Sequence, residues 1–220
     1  MRMVLMGPPG AGKGTQAKRL AASHGMAHLS SGDILRAELR SGSDLGAKLK
    51  QYMDAGELVP DAIVVDVMAK AIAEAPGQGG LLLDGFPRTV PQAEALDAQL
   101  AAADRPLEAV LIIDAPEDLL VERITGRRSC PDCGKVFHVK YLPPAKDGCC
   151  DACGAELIQR TDDTEAVVCE RLAAYRRQTE PVIAFYADSG RRMIRVSGGG
   201  GPDEVTAQIA EALRSSGSTS

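Results

Sequence analysis

Short continuous apolar runs alternate along the chain with longer segments whose apolar residues recur every three or four positions. The runs at 3–6, 26–29, 81–83, 110–113 and 193–196 predict strands. The run at 110–113 is the clearest, being β-branched and apolar on both faces. Helical spacing predicts helices over 13–22, from Gly32-Asp33 to about residue 40, and over 44–55, 60–74, 90–103, 116–125 and 202–214. Pro60 and Asp61 suit a first helical turn. A long helix is expected over 163–189, with Val168, Leu172, Tyr175, Val182 and Tyr186 at helical spacing and a kink at Pro181. Residues 215–220 are expected to fray. Strands alternating with helices imply an α/β fold of three layers, a parallel sheet covered on both faces. Residues 126–160 break the pattern with four Cys, two consecutive Pro, several Gly and no helical period, and read as a small inserted domain.

Composition narrows this picture. A chain of 220 residues that is 45% hydrophobic can bury a sizeable core without disulfides. With no Trp and 3% aromatics, that core must be mostly aliphatic. A net charge of −5 provides no global field for a polynucleotide or an anionic membrane, so a phosphate ligand must be met by a local cluster of Arg and Lys. No apolar run is long enough to span a bilayer. The first six residues are too short for a signal peptide and lead straight into a motif, so the chain reads as cytoplasmic. A monomer is the default expectation.

The motif is Gly7-Pro8-Pro9-Gly10-Ala11-Gly12-Lys13-Gly14-Thr15, after a strand and opening a helix. Such a loop curls so that successive N–H groups and the positive helix end hold an anion, while Lys13 supplies a point charge for the outer phosphates. The usual pattern puts the metal-facing hydroxyl directly after the Lys; here Gly14 intervenes and Thr15 carries it. The loop predicts a nucleoside triphosphate without naming an acceptor.

Cys130-x2-Cys133 and Cys150-x2-Cys153 are separated by sixteen residues. Each pair can wrap a tight turn, so four thiolates can close a tetrahedral structural site, for which zinc is favoured. Cys149 is a possible competitor to Cys150, and Cys169 reads as a packed thiol.

The phosphate loop resembles that of adenylate kinases. So do Ser30-Ser31-Gly32-Asp33-Ile34-Leu35-Arg36, Gly56-Glu57-Leu58-Val59-Pro60, Asp84-Gly85-Phe86-Pro87-Arg88-Thr89 and Arg160-Thr161-Asp162-Asp163, in the same order over residues 1 to about 214. The resemblance is to the type with a long, zinc-holding lid. It implies transfer of the ATP terminal phosphoryl to AMP, giving two ADP, with Mg2+. It divides the chain into a core (1–29, 60–125 and 161–220), an AMP-binding segment (30–59) and a lid (126–160).

Carried over residue by residue, the resemblance puts ATP on Gly10, Ala11, Gly12, Lys13, Gly14 and Thr15. Arg123, Arg127, Val136, Phe137 and the Gly200 carbonyl complete the ATP side. AMP would meet Ser31, Arg36, Glu57, Leu58, Val59, Gly85, Phe86, Pro87 and Arg88, with Gln92 reading the adenine edge. Lys13, Arg88, Arg127, Arg160 and Arg171 would be catalytic, the last two clasping the moving phosphoryl and the acceptor phosphate. Asp84 and Asp33 would hold water on Mg2+, though Asp33 could equally be a helix cap. Asp163 reads as a helix start or an Arg partner, Asp162 is open, and His138 is either near the ATP base or solvated. The family usually has Thr where Ser31 stands, which leaves the base contact looser. Two other readings stay open: a kinase for UMP, CMP or GMP, and a zinc-ribbon nucleic-acid module, which the acidic charge disfavours.

Overall fold

A computed structural model describes residues 1–55, 57–76 and 79–215. Gly56 of the Gly-Glu-Leu-Val-Pro segment and residues 216–220 of the expected frayed tail lie outside the described residues.

The expected alternation is observed. In chain order the elements are β1 (Arg2–Met6), α1 (Lys13–His24), β2 (Ala27–Ser30), α2 (Ser31–Ser41), α3 (Asp44–Ala55), α4 (Asp61–Glu74), β3 (Leu81–Asp84), α5 (Val90–Ala102), β4 (Ala109–Asp114) and α6 (Glu117–Thr125). The small ribbon of β5 (Arg127–Ser129) and β6 (Val136–His138) follows, then α7 (Glu165–Ala174), α8 (Glu180–Asp188), β7 (Arg192–Ser197) and α9 (Pro202–Ser215). Five strands form one parallel sheet in the order β2-β3-β1-β4-β7.

Two-residue periodicity sorts the strand side chains between the two faces. Val4 and Met6 of β1 join Leu83, Val110 and Ile112 in a core capped by α2–α5 and α8. Met3 and Leu5 join Leu82, Leu111 and Ile113 in the opposite core, under α1, α6, α7 and α9. Both cores are largely aliphatic. The carboxyl ends of β1, β2 and β3 therefore meet along one edge, where such sheets bind ligands.

The long helix expected over 163–189 is divided. Thr161–Asp163 is a 3-10 turn, and between α7 and α8 residues Tyr175–Thr179 form a π turn. Pro181 lacks an N–H and its ring would press on the carbonyl four residues back; the wider turn just before it relieves both conflicts.

Candidate active site

The phosphate loop leaves β1 at Gly7, whose φ is +139° and where a Cβ would stand 2.0 Å from the Ile113 carbonyl oxygen; only glycine fits. Lys13 folds back over the loop, its Nζ donating to the carbonyls of Gly7 (2.7 Å) and Pro8 (2.8 Å). Burial lowers its pKa to about 8; Asp84 opposes this and Arg88 adds to it. Gly14 lies against Asp84, a Cβ there falling 3.5 Å from Oδ2. That is an ordinary contact distance, so a Cβ would fit directly after Lys13, while Thr15 is exposed.

The turn after β3 builds the second half of the cleft. Gly85 has φ +73°, and its carbonyl accepts from both Ser31 Oγ (2.6 Å) and Arg88 Nε (2.7 Å). The Ser31 hydroxyl is thus committed to the backbone. Burial, then the nearby charge of Arg171, lowers Arg88 to about 10. Arg36 Nη2 donates to Asp33 Oδ1 at 2.6 Å. The cap of α2 is Ser30, whose Oγ accepts from the Asp33 N–H, so the cap reading of Asp33 is corrected. Gln92 is 1% exposed, with Leu35, Val59, Val64, Leu58 and Glu57 around the same cleft. Pro87 lines the cleft, but the Phe86 ring turns into the core among Leu and Val side chains. Tyr175 and Thr179 line it too, and sequence reading missed them. Their spacing from Arg171 was the available signal: three positions at i, i+4 and i+8 share a helix face.

On the lid, the two Cys turns are copies of each other. Gly134 N–H bonds the Cys130 carbonyl and Gly154 N–H that of Cys150, and both glycines have φ near +70° (70° and 76°). All four sulfurs lie within 4.8 Å of one another, which fits a tetrahedral ion held at about 2.3 Å from each. The Cys133 N–H draws the Cys130 thiol down to about 7, while for Cys133 and Cys153 the hydrogen bonds from the Lys135 and Ala155 backbones are outweighed by the facing sulfurs, and both shift up. Cys149 is half-buried outside the cluster, and Cys169 is exposed rather than packed. Phe137, 2% exposed, packs with Cys130, Cys150 and Leu157. Its ring is lid core, so a nucleotide base would find only backbone there and the half-buried Val136. His138 is neither solvated nor free. Its Nδ1 accepts from the N–H groups of Lys140 (3.0 Å) and Tyr141 (3.1 Å), which puts the proton on Nε2, 3.3 Å from the Glu122 carbonyl.

The arginines at the lid base are already held. Asp163 is fully buried and takes both Nε (2.8 Å) and Nη2 of Arg127, with Arg171 Nη1 at 3.4 Å. Burial opposes the charge on Arg127, but Asp163 outweighs it and raises the guanidinium above its usual pKa. The helix-start reading of Asp163 is therefore replaced by the ion-pair one. Asp162 pairs with Arg171 at 2.8 Å. Arg160 donates to Ser129 Oγ (2.9 Å); burial, then Arg127 and Arg36, lower it to about 10. Arg123 donates to the carbonyls of Gly198 (2.5 Å) and Gly200 (3.0 Å), so it occupies the oxygen expected to face adenine.

Lys13, Arg36, Arg88, Arg127, Arg160 and Arg171 act on one another around this cleft and on the carboxylates of Asp33, Asp84, Asp162 and Asp163, and Glu57 lines the same cleft. Cations therefore gather at one cleft in a protein of net charge −5. Lys13, Arg88, Arg160 and Arg171 are half-buried with lowered pKa values, so each is costly alone and poised for an anion.

The adenylate kinase family model matches residues 5–191. The chain is 52% identical over 216 residues to an adenylate kinase of Streptomyces coelicolor, covering 97% of this chain and 99% of that one. It is 48% identical over 214 residues to one of Carboxydothermus hydrogenoformans, covering 97% and 100%. It is 47% identical over 213 residues to one of Methanococcoides burtonii, covering 97% and 98%.

Proposed function

The chain belongs to the adenylate kinase family, and from that premise we propose which of its residues do the work. It is a nucleoside monophosphate kinase that transfers a phosphoryl group from ATP to AMP. Its relatives favour neither a different acceptor nor a nucleic-acid role.

The single observation that carries the assignment of roles is the cluster of half-buried cations between the phosphate loop and Arg88. ATP phosphates lie on the amides of residues 10–15, with Lys13 leaving its two carbonyl partners for them. Arg88 and Arg36 fork onto the AMP phosphate. Phosphoryl transfer passes through a loose transition state with charge spread over the moving group, so alignment and charge stabilisation suffice. Lys13, Arg88, Arg127, Arg160 and Arg171 supply that stabilisation, while Arg123 and the Gly200 loop hold the ATP side. Asp84 and Asp33 would hold, through water, the Mg2+ that accompanies ATP and offsets phosphate charge. Cys130, Cys133, Cys150 and Cys153 hold a structural zinc ion, and their thiolate chemistry suits the cytoplasm. The core is 1–29, 60–125 and 161–220; segment 30–59 and lid 126–160 close over the substrates and exclude water. One chain carries the whole site, consistent with a monomer.

The test is ADP formation from ATP plus AMP, with and without Mg2+, in wild type and Arg88→Ala. The variant is expected to raise the AMP KM strongly and to slow transfer on the order of 100-fold. Near-normal AMP kinetics in that variant would mean the acceptor site is elsewhere.

A further inference from the structure

Gln92 is expected to read the adenine edge, yet a primary amide is a poor reader unless something holds it. Its oxygen and nitrogen are nearly equal in size. A 180° turn exchanges acceptor for donor. Adenine presents an N6–H donor beside the N1 acceptor. A 6-oxopurine such as hypoxanthine presents the reverse, an O6 acceptor beside an N1–H donor. A Gln92 free to turn would satisfy either base and select neither.

The structure holds this amide from both sides. Gln92 Nε2 donates to Asp61 Oδ1 at 2.7 Å. Gln92 Oε1 accepts from the Arg88 N–H at 2.8 Å. An ionised carboxylate can only accept and a backbone N–H can only donate, so one orientation satisfies both contacts and the turned one breaks both. Gln92 is 1% exposed, and water cannot readily replace either partner. Gln92 lines the cleft, and its amide keeps one unused lone pair on Oε1 and one unused N–H on Nε2, the complement of adenine.

Each partner has a simpler role to weigh. Thr89 caps α5 by accepting from the Gln92 N–H, and Gln92 reaching back to the Arg88 N–H is close to a capping box. That accounts for Oε1, but a Glu would serve a capping box as well, and Glu beside Asp61 would place two carboxylates together. Asp61 sits in the first turn of α4, where a negative charge is favourable by itself. That does not account for its contact with an amide on another helix.

We infer that Asp61 is a positioning residue for acceptor choice: by fixing which end of the Gln92 amide faces the base, it makes the site prefer 6-amino over 6-oxo purine monophosphates. Asp61 reaches the substrate only through Gln92. The inference rests on Gln92 being the base reader.

The test compares kcat/KM for AMP and IMP as acceptors, with Mg-ATP as donor. Asp61→Ala is expected to lower the AMP-to-IMP ratio about tenfold, the equivalent of one hydrogen bond. Asp61→Ser, which suits a helix start but is too short to reach Gln92, should do the same and covers the case of a poorly folded Ala variant. Asp61→Asn keeps an acceptor oxygen and discards the charge, so it should hold the ratio within about twofold. If the ratio survives in the Ala and Ser variants, or if Asn loses it as Ala does, Asp61 is only a helix-start charge and the inference fails. Gln92→Ala separates the two claims. A collapsed ratio there with an intact one in Asp61→Ala overturns the role of Asp61 alone. An intact ratio in Gln92→Ala overturns the base-reading role, and this inference with it.

Discussion

Replacing Asp163 by Asn removes one charge while nearly preserving shape, at a carboxylate with no solvent exposure. Arg127 keeps two donors aimed at it and Arg171 one more, with those guanidiniums only 20% and 22% exposed. An Asn oxygen can still accept one bond, but its NH2 group faces a cation and the counter-charge is gone. Breaking one side of a buried pair costs about 3–5 kcal/mol. For a chain of this length each kcal/mol moves the melting temperature by roughly 2–4 °C, so a fall of roughly 6–20 °C is expected. The assay is calorimetric unfolding of wild type and Asp163→Asn at one zinc concentration, with and without ADP. ADP should recover part of the loss, since its phosphates replace the missing negative charge. A deficit under about 1 kcal/mol without ligand would mean that water reaches the pair in solution. The account of Arg127 as a held, pre-oriented cation would then be wrong.

Three further outcomes follow from the same geometry. Lys13 has a folded pKa near 8 against 10.5 free, so it is partly neutral at pH 8 in the empty site. Binding Mg-ATP should therefore take up a fraction of a proton at pH 8 and almost none at pH 6.5, read by calorimetry in buffers of different ionisation heat. The uptake should vanish in Lys13→Met. Because the folded form binds fewer protons than the unfolded one between pH 8 and 10.5, this group's contribution to stability should rise across that window. Cys150→Ser or zinc chelation should unfold the lid, since zinc-coupled folding of small units contributes on the order of 10–16 kcal/mol. One zinc per chain released by a thiol reagent, with matching loss of activity, is the expected readout; four freely reacting thiols and no metal would refute it. Gly126→Ala should destabilise by about 1–3 kcal/mol although its φ of −81° suits alanine. The added Cβ would meet His138 Nε2 at 2.4 Å and Cε1 at 2.5 Å, and denaturant midpoints check it.

What was legible in the sequence was local. The strand at 110–113, the glycine loop ending in Lys13-Gly14-Thr15 and the two Cys turns each depend on residues a few positions apart, where chain geometry limits the outcomes. The AMP segment and the arginines came through resemblance, which supplies positions but not partners. Partners were decided only by the tertiary structure. Asp163 meets Arg127 across 36 positions, Gln92 meets Asp61 across 31, and Thr161 meets Asp54 across 107. Whether a carboxylate caps a helix or grips a guanidinium depends on the phase of that helix against its neighbour. Periodicity assigned faces, but could not assign Phe86 to the core, Phe137 to the lid interior or His138 to the joint beside Gly126. Burying a side chain is a property of what packs against it, and that is absent from any short window of sequence.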